Sequence, residues 1–420
     1  MLCKDKLVNR LAFLALWLLV FSIPFANMFV FEWGATITRV IGMTAFSIGA
    51  LAVVATGKIR RLKASHFIIA AFVAWAIASY FWSLAPSLTL QRIWTCVQLF
   101  AMVWVIWQFS PRKSQVRDLM QAYVLGAYIS IGAIVANYLS GQQTHYFLRY
   151  VAAGFDPNDL GLILALGIPM SWYLSLTKRG TVVWVNRLYI PLALIAILLT
   201  ASRTAFAAAL LALLIVPWTL GRLSQRGKVA LAFTIVLSIF LVYFFVPWSS
   251  WERITTIPTA ITQGGVGMRM NIWEAGLKVF STRPVLGVGS GAFPPAVEPI
   301  LGKQWVAHNT FLSILAENGI IGFILLGLIG SSSLSLIFRM PQLERRTWLI
   351  LLGVWTVGVF FLTWDHEQTT WLLLGLLVAS AYAIDGKTAE SMPLELAPMA
   401  PLSRPHKEKH KHTLSKLWNY

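Results

Sequence analysis

His308, Asn309, Arg203 and Arg269 are the residues whose types and places can do chemistry in this chain. Histidine can accept a proton near neutral pH, and a guanidinium pairs with phosphate oxygens through parallel hydrogen bonds. His308 follows a polar stretch from Trp251 to about Val306 and opens a long apolar segment. At a helix start the dipole disfavours an imidazolium, so the ring is expected to stay neutral and able to take a proton. Asn309 beside it can orient a hydroxyl or cap the helix. Arg203 lies in Thr200-Ala201-Ser202-Arg203-Thr204-Ala205, a very short turn between two apolar runs. A charge held that close to hydrocarbon needs compensation, by a substrate anion or by a structural ion pair. Arg269 stands in the first turn of a helical segment near 268–282. That end of a helix favours anions, so a bound anion would resolve the conflict.

Other polar groups invite weaker readings. Arg149 and Asn158 flank Gly154-Phe155-Asp156-Pro157-Asn158-Asp159, a loop with access to a substrate. Asp365-His366-Glu367 has metal-ligand types, but three consecutive side chains point in different directions. Partners for arginines are the better reading, Asp365 is also a candidate substrate contact, and no metal site is expected. Glu317 lies about 13 Å from His308 along the helix, where structural pairing is expected. The run Pro284 to Gly291 has the glycines of a phosphate loop without its strand–helix context or a following Gly-Lys-Ser/Thr. A turn is the expected outcome. His406, His410 and His412 sit in a basic tail, better read as solvated or facing headgroups than as a metal site.

The elements that must position these groups are membrane helices. Of 420 residues, 57% are hydrophobic and 12% charged, against about 25% charged in soluble domains. Mean hydropathy is +0.69. The apolar runs are about 20 residues long and continuous, which suits α-helices crossing ~30 Å of hydrocarbon and excludes a β-barrel. About twelve spans are expected, near 7–31, 36–56, 65–83, 87–109, 119–140, 159–176, 186–201, 204–220, 229–247, 308–337, 347–363 and 369–384. The first reads as a span and not as a removable leader. The fold class is therefore all-α and polytopic. Residues 1–247 hold spans one to nine, 248–307 an outer loop with an amphipathic helix, 308–386 the last three spans, and 387–420 a basic, mobile tail. In the loop helix, Met270, Trp273, Leu277 and Phe280 are expected to form the apolar stripe.

Net charge is +18. Of the 34 lysines and arginines, all fall on one side of these spans except Arg39, Arg92, Arg149, Arg203, Arg253, Arg269, Lys278, Arg283 and Lys303. The positive-inside rule makes the rich side cytoplasmic, with both termini inside. The charge thus reports topology and not a nucleic-acid partner. Arg39 and Arg92 lie near helix ends and are expected to snorkel to the interface. Cys3 and Cys96 are too far apart in this topology for a disulfide.

This pattern resembles the O-antigen ligase and O-antigen polymerase superfamily of bacterial inner-membrane glycosyltransferases. The ligase signature is His, then Asn, Ser or Gln, nine residues, Gly, two residues, and Gly, Thr or Tyr. It is matched by His308, Asn309, Gly319 and Gly322. The family's Ser-Arg turn and loop-helix arginine are matched by Ser202-Arg203 and Arg269, the latter followed by Trp273, Pro284 and Gly287-x-Gly289. The resemblance covers roughly 150 to 330; the first four spans match only in general character. It implies a multi-pass inner-membrane enzyme with a periplasmic site. The donor would be a glycan on undecaprenyl pyrophosphate and the acceptor lipid A–core. Arg203 and Arg269 would bind the diphosphate, and His308 would act as general base or as a diphosphate ligand. No cofactor or ATP is expected, because the lipid diphosphate already leaves readily and no Asp-x-Asp metal motif is apparent. A polymerase with the same donor is the nearest alternative. A transporter or flippase of an anionic lipid-linked solute is the more remote one.

Overall fold

The computed structural model describes residues 2–32, 34–143, 149–255, 267–383 and 396–398. Gly264 and Gly265, the side chain of Arg253, and the histidine cluster of the tail lie outside the described residues. Helices stand at every expected span: α1 (Leu2–Ser22), α2 (Ile37–Thr56), α3 (Ala64–Ala78), α4 (Pro86–Phe109), α5 (Lys113–Leu139), α6 (Pro157–Thr177), α7 (Val182–Leu199), α8 (Arg203–Leu213) with α9 (Ile215–Thr219), and α10 (Gln225–Phe245). On the segment between the ninth and tenth expected spans come α11 (Trp248–Thr255), α12 (Gly267–Thr282) and α13 (Phe293–Leu301); then α14 (Thr310–Arg339), α15 (Gln342–Val359) and α16 (Gln368–Ala381). Ten of the described helices are long and apolar enough to cross a membrane. The remaining two expected spans are α15, which carries Glu344, Arg345 and Arg346 at its start, and α16, whose 14 residues extend about 21 Å. One short antiparallel pair, β1 (Lys58–Arg60) with β2 (Leu396–Pro398), is present among the described residues.

α6 is the central post. Its sequence is apolar on every side, and Leu160 through Ser175 are all buried, as expected of a helix with no lipid-facing stripe. Gly161 lets α8 approach, because a Cβ there would run into that of Ala205. The pairing matters because Asn158 lies in the first turn of α6 and Arg203 is the first residue of α8. In contrast, α10 exposes Phe233, Val236, Ile239, Phe240 and Tyr243, an apolar surface suited to lipid.

The segment between the ninth and tenth spans folds onto a small core of its own. Ile272, Ala275 and Val279 of α12 pack with Val288, Ala292, Phe293, Val297, Ala307, Leu312 and Ala316. The expected stripe is thus rotated: Met270 and Leu277 are exposed, while Trp273 is partly buried. The helix has apolar residues on two faces, and the packed one is set by contact with α13 and α14.

The second departure is in α14. Gly319 has φ 65° and ψ −168°, so the tenth span is two helices, not one. Gly319 is not a helix–helix packing contact. It permits a break into which the glycine run 284–291 is laid.

Candidate functional site

The N-terminus of α6 and that of α8 are fastened to each other. Asp156 caps α6, its Oδ1 accepting from the Asn158 amide at 2.7 Å and from Asn158 Nδ2 at 2.9 Å. Asn158 Oδ1 accepts the Ser202 hydroxyl at 2.8 Å, while Ser202 Oγ accepts the Ala205 amide at 3.2 Å. Ser202 therefore caps α8, and Arg203 is the first residue of that helix. Ala201 before it adopts φ 47°, a left-handed conformation uncommon outside glycine. Its carbonyl accepts from buried Arg149 at 3.3 Å. Arg149 and Asn158 both act as ties between the loop and the Arg203 turn.

Above α14 the backbone of His308 also has a positive φ, 46°. Strained backbone of this kind persists only where surrounding contacts hold it, and those contacts are present. Asn309 caps α14, its side chain accepting the Leu312 amide at 2.9 Å. Thr310 Oγ1 donates to the Leu362 carbonyl and accepts the Trp364 amide, each at 2.8 Å. The Trp273 indole donates to the Ala307 carbonyl at 3.0 Å. His308 is thus pinned between α12 and the turn at 360–367. The same turn supports Arg269, whose guanidinium lies 5.8 Å from the Phe361 ring centre.

Electrostatics bring four of these residues together. Burial pushes the His308 imidazole below its ordinary pKa, the Arg269 charge lowers it further, and Asp156 partly opposes both. Burial likewise lowers Arg269, with Asp156 raising it and the like charge of Arg203 lowering it. His308, Arg269, Arg203 and Asp156 therefore share one rim. Burial and the neighbouring Arg269 charge both favour the neutral imidazole over the imidazolium. A neutral proton acceptor beside two guanidiniums suits chemistry on a hydroxyl next to an anionic leaving group.

A second ionic layer lies beneath. Arg92 Nη1 is 2.7 Å from Asp365 Oδ2 and 2.8 Å from His366 Nδ1, with little of the Arg92–Asp365 pair exposed. Arg92 does not snorkel: it is held inward by this carboxylate. Burial alone would raise the Asp365 carboxyl, but Arg92 and then His366 hold it well below the usual range. Asp159 accepts from the Trp364 indole at 2.8 Å. Glu317 accepts the amides of Gly291 at 2.7 Å and Phe293 at 3.2 Å, the structural role its position suggested.

The glycine run is the splint of the broken helix. Val288 and Gly289 donate to the carbonyls of Ala316 and Glu317 at 3.0 and 2.8 Å, and Ile320 donates to Pro284 at 2.9 Å. Trp75 covers the Asn318 carbonyl at 2.9 Å. Ser290 donates to Ser79 at 3.0 Å, and Gly287 to Arg283 at 2.9 Å. With its amides engaged inside the protein, the run cannot cradle a phosphate.

Residues 188–327 match the family model described as O-antigen ligase (Wzy_C). That segment contains Arg203, Arg269, His308 and the Gly319 break. Over that third of the chain the protein is similar to the O-antigen ligase family. It is also similar to the exopolysaccharide production protein ExoQ of Rhizobium meliloti (strain 1021), 24% identical over 338 residues that cover 72% of each chain.

Asp156 is the site residue that the sequence reading passed over. Asp followed by Pro157 is a recognisable helix-cap signal, but its partners at 269 and 308 are more than a hundred residues away. Phe361 had no local signal at all.

Proposed function

We propose that the protein transfers a glycan from a polyprenyl diphosphate to an acceptor hydroxyl on the outer side of the bacterial inner membrane. The observation that carries this is the shared rim of neutral His308, Arg269 and Arg203. His308 accepts the proton of the acceptor hydroxyl as its oxygen attacks the anomeric carbon. The bond from that carbon to the diphosphate oxygen breaks, and the electron pair leaves with the lipid diphosphate. The two guanidiniums stabilise the developing charge, and a single displacement inverts the anomeric centre. Asn309, Arg149, Asn158 and Asp365 act by holding this geometry, because each has an internal partner.

An apolar cavity of about 360 Å³ runs between α14, α15 and α16, with Thr310 and Asp365 among its linings and Phe323, Ile329 and Leu377 farther along. It begins two residues from His308 and offers the donor's hydrocarbon tail a path beside the site. Lipid A–core is the acceptor in the ligase reading, which follows the family description. The relative's name, exopolysaccharide production, favours a second reading in which the acceptor is another lipid-linked glycan.

The test is transfer in vitro with purified protein, lipid-linked glycan and lipid A–core. Glycosylated lipid A–core supports the ligase, and lengthened donor alone supports the polymerase. Donor that crosses liposomes unmodified would replace both with a transporter.

A further inference from the structure

The opposite, lysine- and arginine-rich face carries a second built pocket. A cavity of about 160 Å³ lies where the ends of α5, α6, α14, α15 and α16 converge, lined among others by Lys113, Arg117, Arg339, Glu344, Tyr173 and Trp348. Among the described residues, three cations and one carboxylate thus line it. Tyr173 leans on that carboxylate at 3.4 Å, and the nearby Asp118 is occupied by Lys178 at 2.5 Å. The Nε–H of Arg117 is buried with no hydrogen-bond acceptor among the described residues. A buried donor left unmade costs free energy that an anionic oxygen would recover. α5 and α15 begin here while α6, α14 and α16 end here, so the helix dipoles offset one another and the positive potential comes from the side chains.

We propose that this pocket binds the phosphate of an anionic membrane lipid. A guanidinium fork matches phosphate geometry, and basic pockets between spans at the cytoplasmic rim are suited to such headgroups. Arg339 is the last residue of a membrane helix, which puts the pocket at headgroup depth. Buried Trp348 lines both this pocket and the large apolar cavity, so the chains of a lipid seated here continue against apolar side chains. The site is remote from His308 and does not depend on the proposed transfer reaction.

The experiment uses the full chain, delipidated in neutral detergent. Its binding of phosphatidylglycerol, phosphatidylcholine and inorganic phosphate is compared by native mass spectrometry and by melting temperature. Phosphatidylglycerol is expected to bind and stabilise the protein. The double variant Arg117→Gln/Arg339→Gln should bind it at least about tenfold more weakly, while melting like the parent in phosphatidylcholine. Arg117→Lys should retain part of the binding, and should that double variant not fold, Arg339→Gln alone carries the comparison. Equal retention of both lipids, or no loss in the variants, overturns the proposal. Stabilisation by inorganic phosphate alone overturns the lipid assignment in favour of the free ion. Lipid binding seen only after Asp385→Asn, two residues beyond Ala383, would mean that the chain's own carboxylate fills the pocket.

Discussion

The Gly289 amide donates to the Glu317 carbonyl at 2.8 Å, and through this contact the loop holds the broken tenth span. The Ala316 and Glu317 carbonyls at the end of the short upper helix accept amides of the loop. In hydrocarbon such groups must be satisfied by protein. The loop supplies the donors, and the helix that starts beside His308 is thereby fixed in place.

Gly319 should tolerate no side chain. Its φ is 65°, and a Cβ would collide with the Val285 carbonyl. Gly319→Ala is expected to destabilise by about 2 kcal/mol or more, whereas Gly327→Ala, which meets open space, should be neutral. Melting temperatures in one detergent compare the two.

His308→Ala should reduce transfer by about 10²- to 10⁴-fold without unfolding the protein, while lipid-linked donor accumulates. Activity above a few per cent of the parent would remove the histidine from the chemistry.

The pH profile reports the Arg269 charge. Because the imidazole is held below its ordinary pKa, the basic form persists into mildly acid solution, and activity falls only as pH drops through that lowered value. Arg269→Gln removes one lowering cause, so the acid limb of kcat/KM should move to higher pH. An unmoved limb would dissociate the two residues.

Arg92 and Asp365 form a mostly buried pair. Asp365→Asn leaves a buried guanidinium uncompensated and should cost roughly 3–5 kcal/mol. Adding Arg92→Met should recover much of that loss in a melting experiment.

Filling the apolar cavity should separate tail binding from chemistry. Gly330 lines it, and a Cβ there meets nothing within 4 Å. Gly330→Phe is expected to raise KM for long-chain donors and to leave a short-chain analogue nearly unaffected. An equal effect on both would move the tail elsewhere.

The helical membrane architecture was legible in the chain, because ~20-residue apolar runs are local, additive signals. The sequence also singled out Arg203, Arg269 and His308, each a polar residue at the edge of an apolar run. Capping was readable in part: Asn309 precedes its helix, and Asp156 precedes a proline. The tertiary structure decided what depends on contacts between distant segments. It rotated α12 onto Ile272, Ala275 and Val279, because the face that packs is chosen by α13 and α14 and not by the helix's own periodicity. It turned Arg92 inward toward Asp365 and broke the tenth span at Gly319. It also gathered Asp156, Arg203, Arg269 and His308 on one rim, where burial and mutual charge set the state of the imidazole. A spacing along the chain carries no record of such fields, since they arise only when the helices meet.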